Sequence, residues 1–212
     1  MGRVAFRVDP AGEPAANMEA DQTLAQRVLA GVLPSTLRVY QWARPAVSVG
    51  RAQKPEHLPE DLLRRRLPLV RRPTGGGAVV HDPGEFTYAL AASPEALPAG
   101  VALSRLPGLI HRNIRRKILE LGWIPASLLQ ITPSEFKKPS ALCFSSPVCG
   151  DLVYQGTKVA GSALRVWRGG LLVQGSIQGL PLEYNRLVEV FSRLAEEGPW
   201  GEAGEKCAEG EI

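Results

Sequence analysis

Cysteine is scarce in this chain. Cys143, Cys149 and Cys207 are the three among 212 residues. So small and odd a set argues against a disulfide framework. Cys-x-x-Cys spacing is missing, so zinc is not expected and no metal is assigned. The sequence also lacks the run of about eighteen apolar residues that a membrane span requires. Its opening, MGRVAFRVDPAGEP, has no apolar secretory core, and Phe6 stands where a myristoylation signal carries Ser or Thr. These absences predict a soluble cytoplasmic protein. A large excess of one charge is missing too. Lys and Arg number 25 against 21 Asp and Glu, a net charge of +4. Such a balance suits an anionic ligand or acidic partner but does not indicate nucleic acid. Neither the P-loop pattern nor a G-x-G-x-x-G opening a helix occurs.

Apolar residues make up 44% of the chain and charged residues 22%, enough for one domain with a sizeable core. RVAFRVD, TLRVYQW, PAVSVGRAQ, LPLVRR, GAVVHD and EFTYALAAS read as strands. DLVYQG, TKVAGSALRV and GGLLVQGSI follow as strands joined by tight glycine turns. Helices are predicted over NMEADQTLAQRVLAGV, EDLLRRR, SRLPGLIHRNIRRKILELGW and PLEYNRLVEVFSRLAEE. In the third, Leu106, Ile110, Ile114 and Ile118 recur every four residues and Gly122 closes the helix. No repeat or linker interrupts the order. The pattern predicts an α+β (α/β) fold with a mixed, mostly antiparallel sheet over residues 1–197 and a disordered acidic tail over 198–212.

Two segments carry chemistry. In RRPTGGGAVVHDPGEFTYAL, three adjacent glycines sit between strand-like runs, where each weakens a strand. One reading is a glycine-rich hairpin turn. The other is a backbone edge against which a ligand lies, its N–H groups facing phosphate oxygens. Arg71 and Arg72 precede the glycines; as strand neighbours they point to opposite faces, so one at most enters a pocket. The second segment is CFSSPVCGDLVYQGTKVAGSALR. Lys158 follows a Gln-Gly turn among small residues. It is either an edge-protecting lysine or a fixed ammonium for developing negative charge. Cys143 is either a buried inert thiol or a nucleophile beside a cation. His57, His111 and the Arg115–Lys117 run read as surface.

These residues are similar to a known superfamily. RRPTGGGAVVHDPGEFTYAL, GTKVAGSALR and LLVQGSI, with NMEAD and LRVYQWARPAVSVGRAQ before them, resemble the lipoate–protein ligases, octanoyltransferases and biotin–protein ligases. The likeness runs from about Asn17 to Ile177. It implies a curved mixed sheet flanked by helices and a pocket for a medium-chain acyl group. Lys158 matches the family's catalytic lysine. The resemblance implies a substrate site of Arg71, Arg72, Thr74, Gly75, Gly76, Gly77, Ala78, Val79, His81 and Asp82, joined by Gly161, Ser162 and Ala163. The biotin branch is disfavoured, since its arginine-glycine repeat is missing.

The resemblance leaves two mechanisms. GGGAVVHDPG has the ligase form: ATP with Mg2+ activates lipoate or octanoate as an acyl-adenylate, and no cofactor is tightly bound. ALCFSSP resembles the segment holding the nucleophilic cysteine of octanoyltransferases. There Cys143 takes octanoyl from an acyl carrier protein as a thioester. Both routes end on a lysine of a lipoyl-domain protein. The chain ends without the small accessory domain of many bacterial ligases, so a ligase would need a separate accessory-domain protein or do without one. The Gly-Gly-Gly and His-Asp-x-Gly runs favour the ligase, with the transferase as the alternative. Gln174, where many relatives have histidine, leaves a non-catalytic acyl- or lipoyl-domain-binding homologue as a third reading.

Overall fold

A computed structural model describes residues 4–133 and 141–200. Ten strands and four α-helices occur among them: β1 (Ala5–Val8), α1 (Pro14–Leu29), β2 (Thr36–Tyr40), β3 (Ala46–Val49), α2 (Glu60–Arg64), β4 (Leu69–Arg71), β5 (Val79–His81), β6 (Phe86–Ala92), α3 (Leu106–Glu120), β7 (Leu129–Ile131), β8 (Leu152–Tyr154), β9 (Thr157–Trp167), β10 (Gly170–Ile177) and α4 (Tyr184–Glu197). Seven strands form one sheet in the order β1-β2-β6-β10-β9-β8-β7, and β4-β3-β5 form a smaller one. Only β1–β2 and β3–β4 pair in parallel. The expected mixed, mostly antiparallel α/β architecture is therefore present. The three-residue strand β7 was not foreseen; Leu129-Gln130-Ile131 is too short to show a period.

Alternation along the strands decides what each face of the large sheet holds. Phe86, Tyr88, Leu90 and Ala92 of β6, with Leu171, Val173 and Ile177 of β10, join one core with α3 and α4. Leu106, Ile110, Ile114 and Ile118 of α3 are at most 1% exposed there, each worth roughly 1.5–3 kcal/mol of burial. Gly122, at φ +69, ends that helix as predicted. On the opposite face, Ala89, Ala91 and Leu172 pack under Leu24, Ala25 and Val28 of α1. Further along this face α1 gives way to the small sheet, and the space between becomes polar.

The hairpins form where the sequence places them. Gln155 and Gly156 turn β8 into β9 with φ +48 and +81, the double-positive geometry of a two-residue turn. Two surface expectations and one alternative reading of Lys158 fail. His111 is 1% and Lys117 6% exposed. Lys117 reaches over the helix surface to Glu120 and Glu197, an amphipathic stem laid on apolar neighbours. Lys158 lies on β9, an interior strand flanked by β8 and β10, so it is no edge lysine. The folded part also outruns residue 197. Trp200 is 1% exposed and its indole N–H donates to the Ala96 carbonyl at 2.7 Å. Residues 201–212 of the expected tail lie outside the described residues.

Candidate active site

Cross-strand register lays a row of side chains across four strands. Tyr40 faces Thr87, Thr87 faces Ser176, and Ser176 faces Gly161. Partners in register share a face, and all four line one largely apolar cleft. At strand spacing the row is roughly 14 Å long. Met18 of α1 and Val79 of β5 supply apolar walls, with Trp42 beyond the β2 end. Trp42 stacks on His81 with ring centroids 3.8 Å apart. Its indole N–H donates to Thr87 Oγ1 at 2.9 Å.

The triple glycine is not a hairpin. β4 and β5 lie on opposite sides of β3, so residues 72–78 form a crossover over its end. A Cβ on Gly50 would sit 2.1 Å from the Gly76 carbonyl oxygen; only glycine there lets the two backbones meet. Gly76 itself has φ +89, a left-handed conformation that favours glycine, whereas a Cβ on Gly75 would meet open space. Arg72 runs beneath this crossover. Its guanidinium donates to the carbonyls of Ser48, Gly75 and Gly77, at 2.7, 3.0 and 2.8 Å, and to Ser48 Oγ at 2.7 Å. Burial pushes it below the ordinary arginine pKa.

Beyond the glycines, Ala78 accepts the Cys143 N–H and donates to Ala141, both at 2.8 Å. This short parallel bridge sets Cys143 on the cleft wall. Lys158 lies behind it. Its side chain is 2% exposed, with Nζ 2.7 Å from Asp151 Oδ2, 2.7 Å from the Cys143 carbonyl and 3.5 Å from Cys143 Sγ. Gly161 makes the placement possible: a Cβ there would lie 2.7 Å from Lys158 Cε and 3.5 Å from Cys143 Sγ. The Phe144 ring completes the enclosure, 5.2 Å from the ammonium.

Polar chains brace the cleft. His81 bonds Ser48 Oγ through Nε2 at 2.6 Å and Glu85 through Nδ1 at 2.8 Å. The connectivity is that of a serine triad, but Ser48 is 0% exposed and already accepts from Arg72, so no substrate carbonyl reaches it. Gln174 accepts from Thr74 and donates to Asp21, which also takes Arg38 and the Tyr40 hydroxyl. Burial raises the Asp21 carboxyl above the usual range, against the opposing pull of Arg38. From α3, His111 bonds the Gly150 carbonyl through Nδ1 at 2.7 Å and Ser162 through Nε2 at 3.2 Å. Burial lowers its pKa.

Of the residues predicted from sequence, Arg72, Gly76, Val79, His81, Cys143, Gly161, Ser162 and Ala163 line the cleft, and Lys158 backs it. Thr74, Gly75, Gly77 and Ala78 support its rim through the bonds above. Arg71 and Asp82 are not brought in. Arg71 faces outward and donates to the carbonyls of Gly50, Arg51 and Gln53; strand alternation turns it from Arg72. Asp82 is exposed beside a separate groove with Pro83 and Leu187. Met18, Tyr40, Trp42, Thr87 and Ser176 of the cleft, and Asp151, Ser48 and Glu85 around it, were missed as site residues. Only Asp151 left a sequence signal, an acid seven residues before Lys158 inside an apolar strand start.

A model of the lipoyl protein ligase A/B catalytic domain matches residues 13–179. The sequence is similar to "Octanoyltransferase LipM" of Halalkalibacterium halodurans, 34% identical over 190 residues, 87% of this chain and 68% of the relative. It is also similar to the protein of the same name from an Exiguobacterium species, at 40% over 173 residues, 77% of this chain and 61% of the relative. The chain thus spans about two thirds of these relatives' length. Among solved structures, lipoate-protein ligase A bound with ATP superposes at a TM-score of 0.59 with 18% identity, covering 89% of this chain and 70% of that one. This last likeness concerns the fold. Among the described residues no helix is long and apolar enough to cross a membrane.

Proposed function

The chain belongs to the lipoyl protein ligase A/B catalytic-domain family, and from that premise we propose that it is an octanoyltransferase using Cys143 as nucleophile. This departs from the ligase expectation raised by the Gly-Gly-Gly and His-Asp-x-Gly runs. The observation that carries it is the 3.5 Å approach of Lys158 Nζ to Cys143 Sγ at the wall of a largely apolar cleft. A buried ammonium beside a sulfur stabilises a thiolate. A ligase gives that sulfur nothing to do. The names of the curated relatives point the same way.

In this reading the octanoyl chain lies along the Gly161–Ser176–Thr87–Tyr40 row. The Cys143 thiolate attacks the thioester carbonyl of an acyl carrier protein. The carrier's acyl C–S bond breaks, its sulfur leaves as a thiolate that takes a proton from solvent, and octanoyl remains as a Cys143 thioester. A neutral lysine amine of a lipoyl domain then attacks. The amide C–N bond forms, the Cys143 C–S bond breaks, and the amine's surplus proton passes to solvent. Lys158 faces the negative charge that gathers on sulfur and on the carbonyl oxygen in both halves.

The test supplies radiolabelled octanoate in two forms. Label reaching a lipoyl domain from octanoyl carrier protein without ATP, and lost in Cys143→Ser, is the expected result. Label from free octanoate and ATP with pyrophosphate release, retained in Cys143→Ser, establishes the ligase instead. No label by either route leaves a binding homologue.

A further inference from the structure

The two cations at the cleft are balanced differently. Lys158 has a carboxylate at 2.7 Å, and the Asp151 side chain is itself 5% exposed. Asp151 Oδ2 also accepts the Val148 N–H at 2.7 Å. The acid is rigidly delivered. Gly150, at φ +85, sits where a Cβ would lie 3.1 Å from Gly108 Cα on α3, and His111 holds its carbonyl. The ammonium's three partners are therefore Asp151, the Cys143 carbonyl and Cys143 Sγ. Arg72 is the contrast. It is 7% exposed, bonds only neutral oxygens, and forms no ion pair with any described carboxylate. The nearest acid along its bonded chain is Glu85, reached through Ser48 and His81. A buried charge without a counter-charge is costly unless an anion arrives. In this cleft Cys143 is the group that can become one.

We propose that Asp151 is a positioning residue for acyl transfer: it holds the Lys158 ammonium against Cys143 and matches its charge, leaving the Arg72 guanidinium as the unmatched cation of the cleft. The proposal rests on the transferase reading. Asp151 fixes one ammonium proton and so aims another at sulfur. A thiolate on Cys143 then brings Arg72, Lys158, Asp151 and Cys143 to zero net charge. Tyr40 and His81 on the wall, and His111 behind Ser162, are the other titratable groups; burial and the neighbouring Asp21 hold the Tyr40 phenol above its ordinary pKa. His111 donates from one nitrogen and accepts at the other, and its lowered pKa keeps it neutral.

The experiment follows iodoacetamide alkylation of Cys143, in which sulfur displaces iodide, by peptide mass, beside octanoyl transfer. Asp151→Asn removes the anion and frees Lys158 to pair with a thiolate, so alkylation should quicken about fivefold while transfer falls at least about tenfold. Lys158→Met should slow both. Removing both charges together should return alkylation to within about twofold of the parent, the signature of a matched pair in a double-mutant cycle. If the double variant alkylates as fast as Asp151→Asn alone, the acid merely keeps the cleft shut and the proposal is overturned. Unchanged transfer in Asp151→Asn overturns it as well. Should Asp151→Asn fail to fold, the double variant, free of an unpaired buried charge, carries the test with its expectation of near-parent alkylation. Alkylation needs no acyl donor, so this outcome is separable from failure of the transferase reading, which shows as transfer surviving Cys143→Ser.

Discussion

The two faces of the seven-stranded sheet use alternate residues of the same strands and serve opposite purposes. Toward α3 and α4, β6 offers Phe86, Tyr88, Leu90 and Ala92, all buried in one apolar core. One residue out of step, it offers Thr87 to the cleft, opposite Tyr40 and Ser176. Apolar packing tolerates modest change at a graded cost. The polar side does not, because each buried donor depends on a named acceptor. Gly175 shows the faces meeting: a Cβ there would lie 2.2 Å from the Tyr88 ring on the core side.

Substitutions can break that contrast. The largest effect belongs to Lys158→Met, which should reduce octanoyl transfer by about a thousandfold or more. Soluble folded protein with parent-like turnover in a carrier-to-lipoyl-domain assay refutes the role of Lys158. On the other face, Ile114→Ala should cost about 2–5 kcal/mol of stability by opening a cavity. Chemical denaturation reads the cost, and the rate per folded molecule should hold. An intermediate effect is expected at Gly161→Ala. Its methyl group displaces the Lys158 side chain, so transfer should drop about ten- to a hundredfold with little change in thermal midpoint. Equal transfer rates in parent and variant contradict the tight approach.

The smallest effect sharpens the comparison through pH. His111 joins the two faces, on α3 yet bonded to the loop before Lys158. Its folded pKa lies below the usual value because it is buried. The unfolded chain therefore binds the extra proton first. Its contribution is fully present above the ordinary histidine value of about 6.5 and is lost as pH falls below it. The denaturation midpoint should decline more steeply from neutral toward pH ~5 in the parent than in His111→Gln. Parallel declines remove the histidine from the account.

Much of this was legible in the residues. The four-residue recurrence of Leu106, Ile110, Ile114 and Ile118 gave α3, and the Gln155-Gly156 pair gave the turn that precedes Lys158. Lys158, Cys143 and the glycine crossover come together at one cleft, as the motif reading required. What stayed hidden was pairing at long range. Nothing local tells Arg72 from Arg71; the difference is which strand face meets Ser48. His111 reads as polar on a helix, but its partner is Gly150, 39 residues away. Of the two readings of the glycines, the hairpin turn arose because a crossover between strands flanking a third has no short-range signature.

The account stands on a covalent octanoyl-enzyme. Incubation with octanoyl carrier protein, without ATP and without acceptor, followed by intact-mass and peptide measurement, tests it most directly. A mass increase of one octanoyl group, located on Cys143 and discharged when a lipoyl domain is added, is the predicted result. An unmodified Cys143 in enzyme that still labels the lipoyl domain contradicts it.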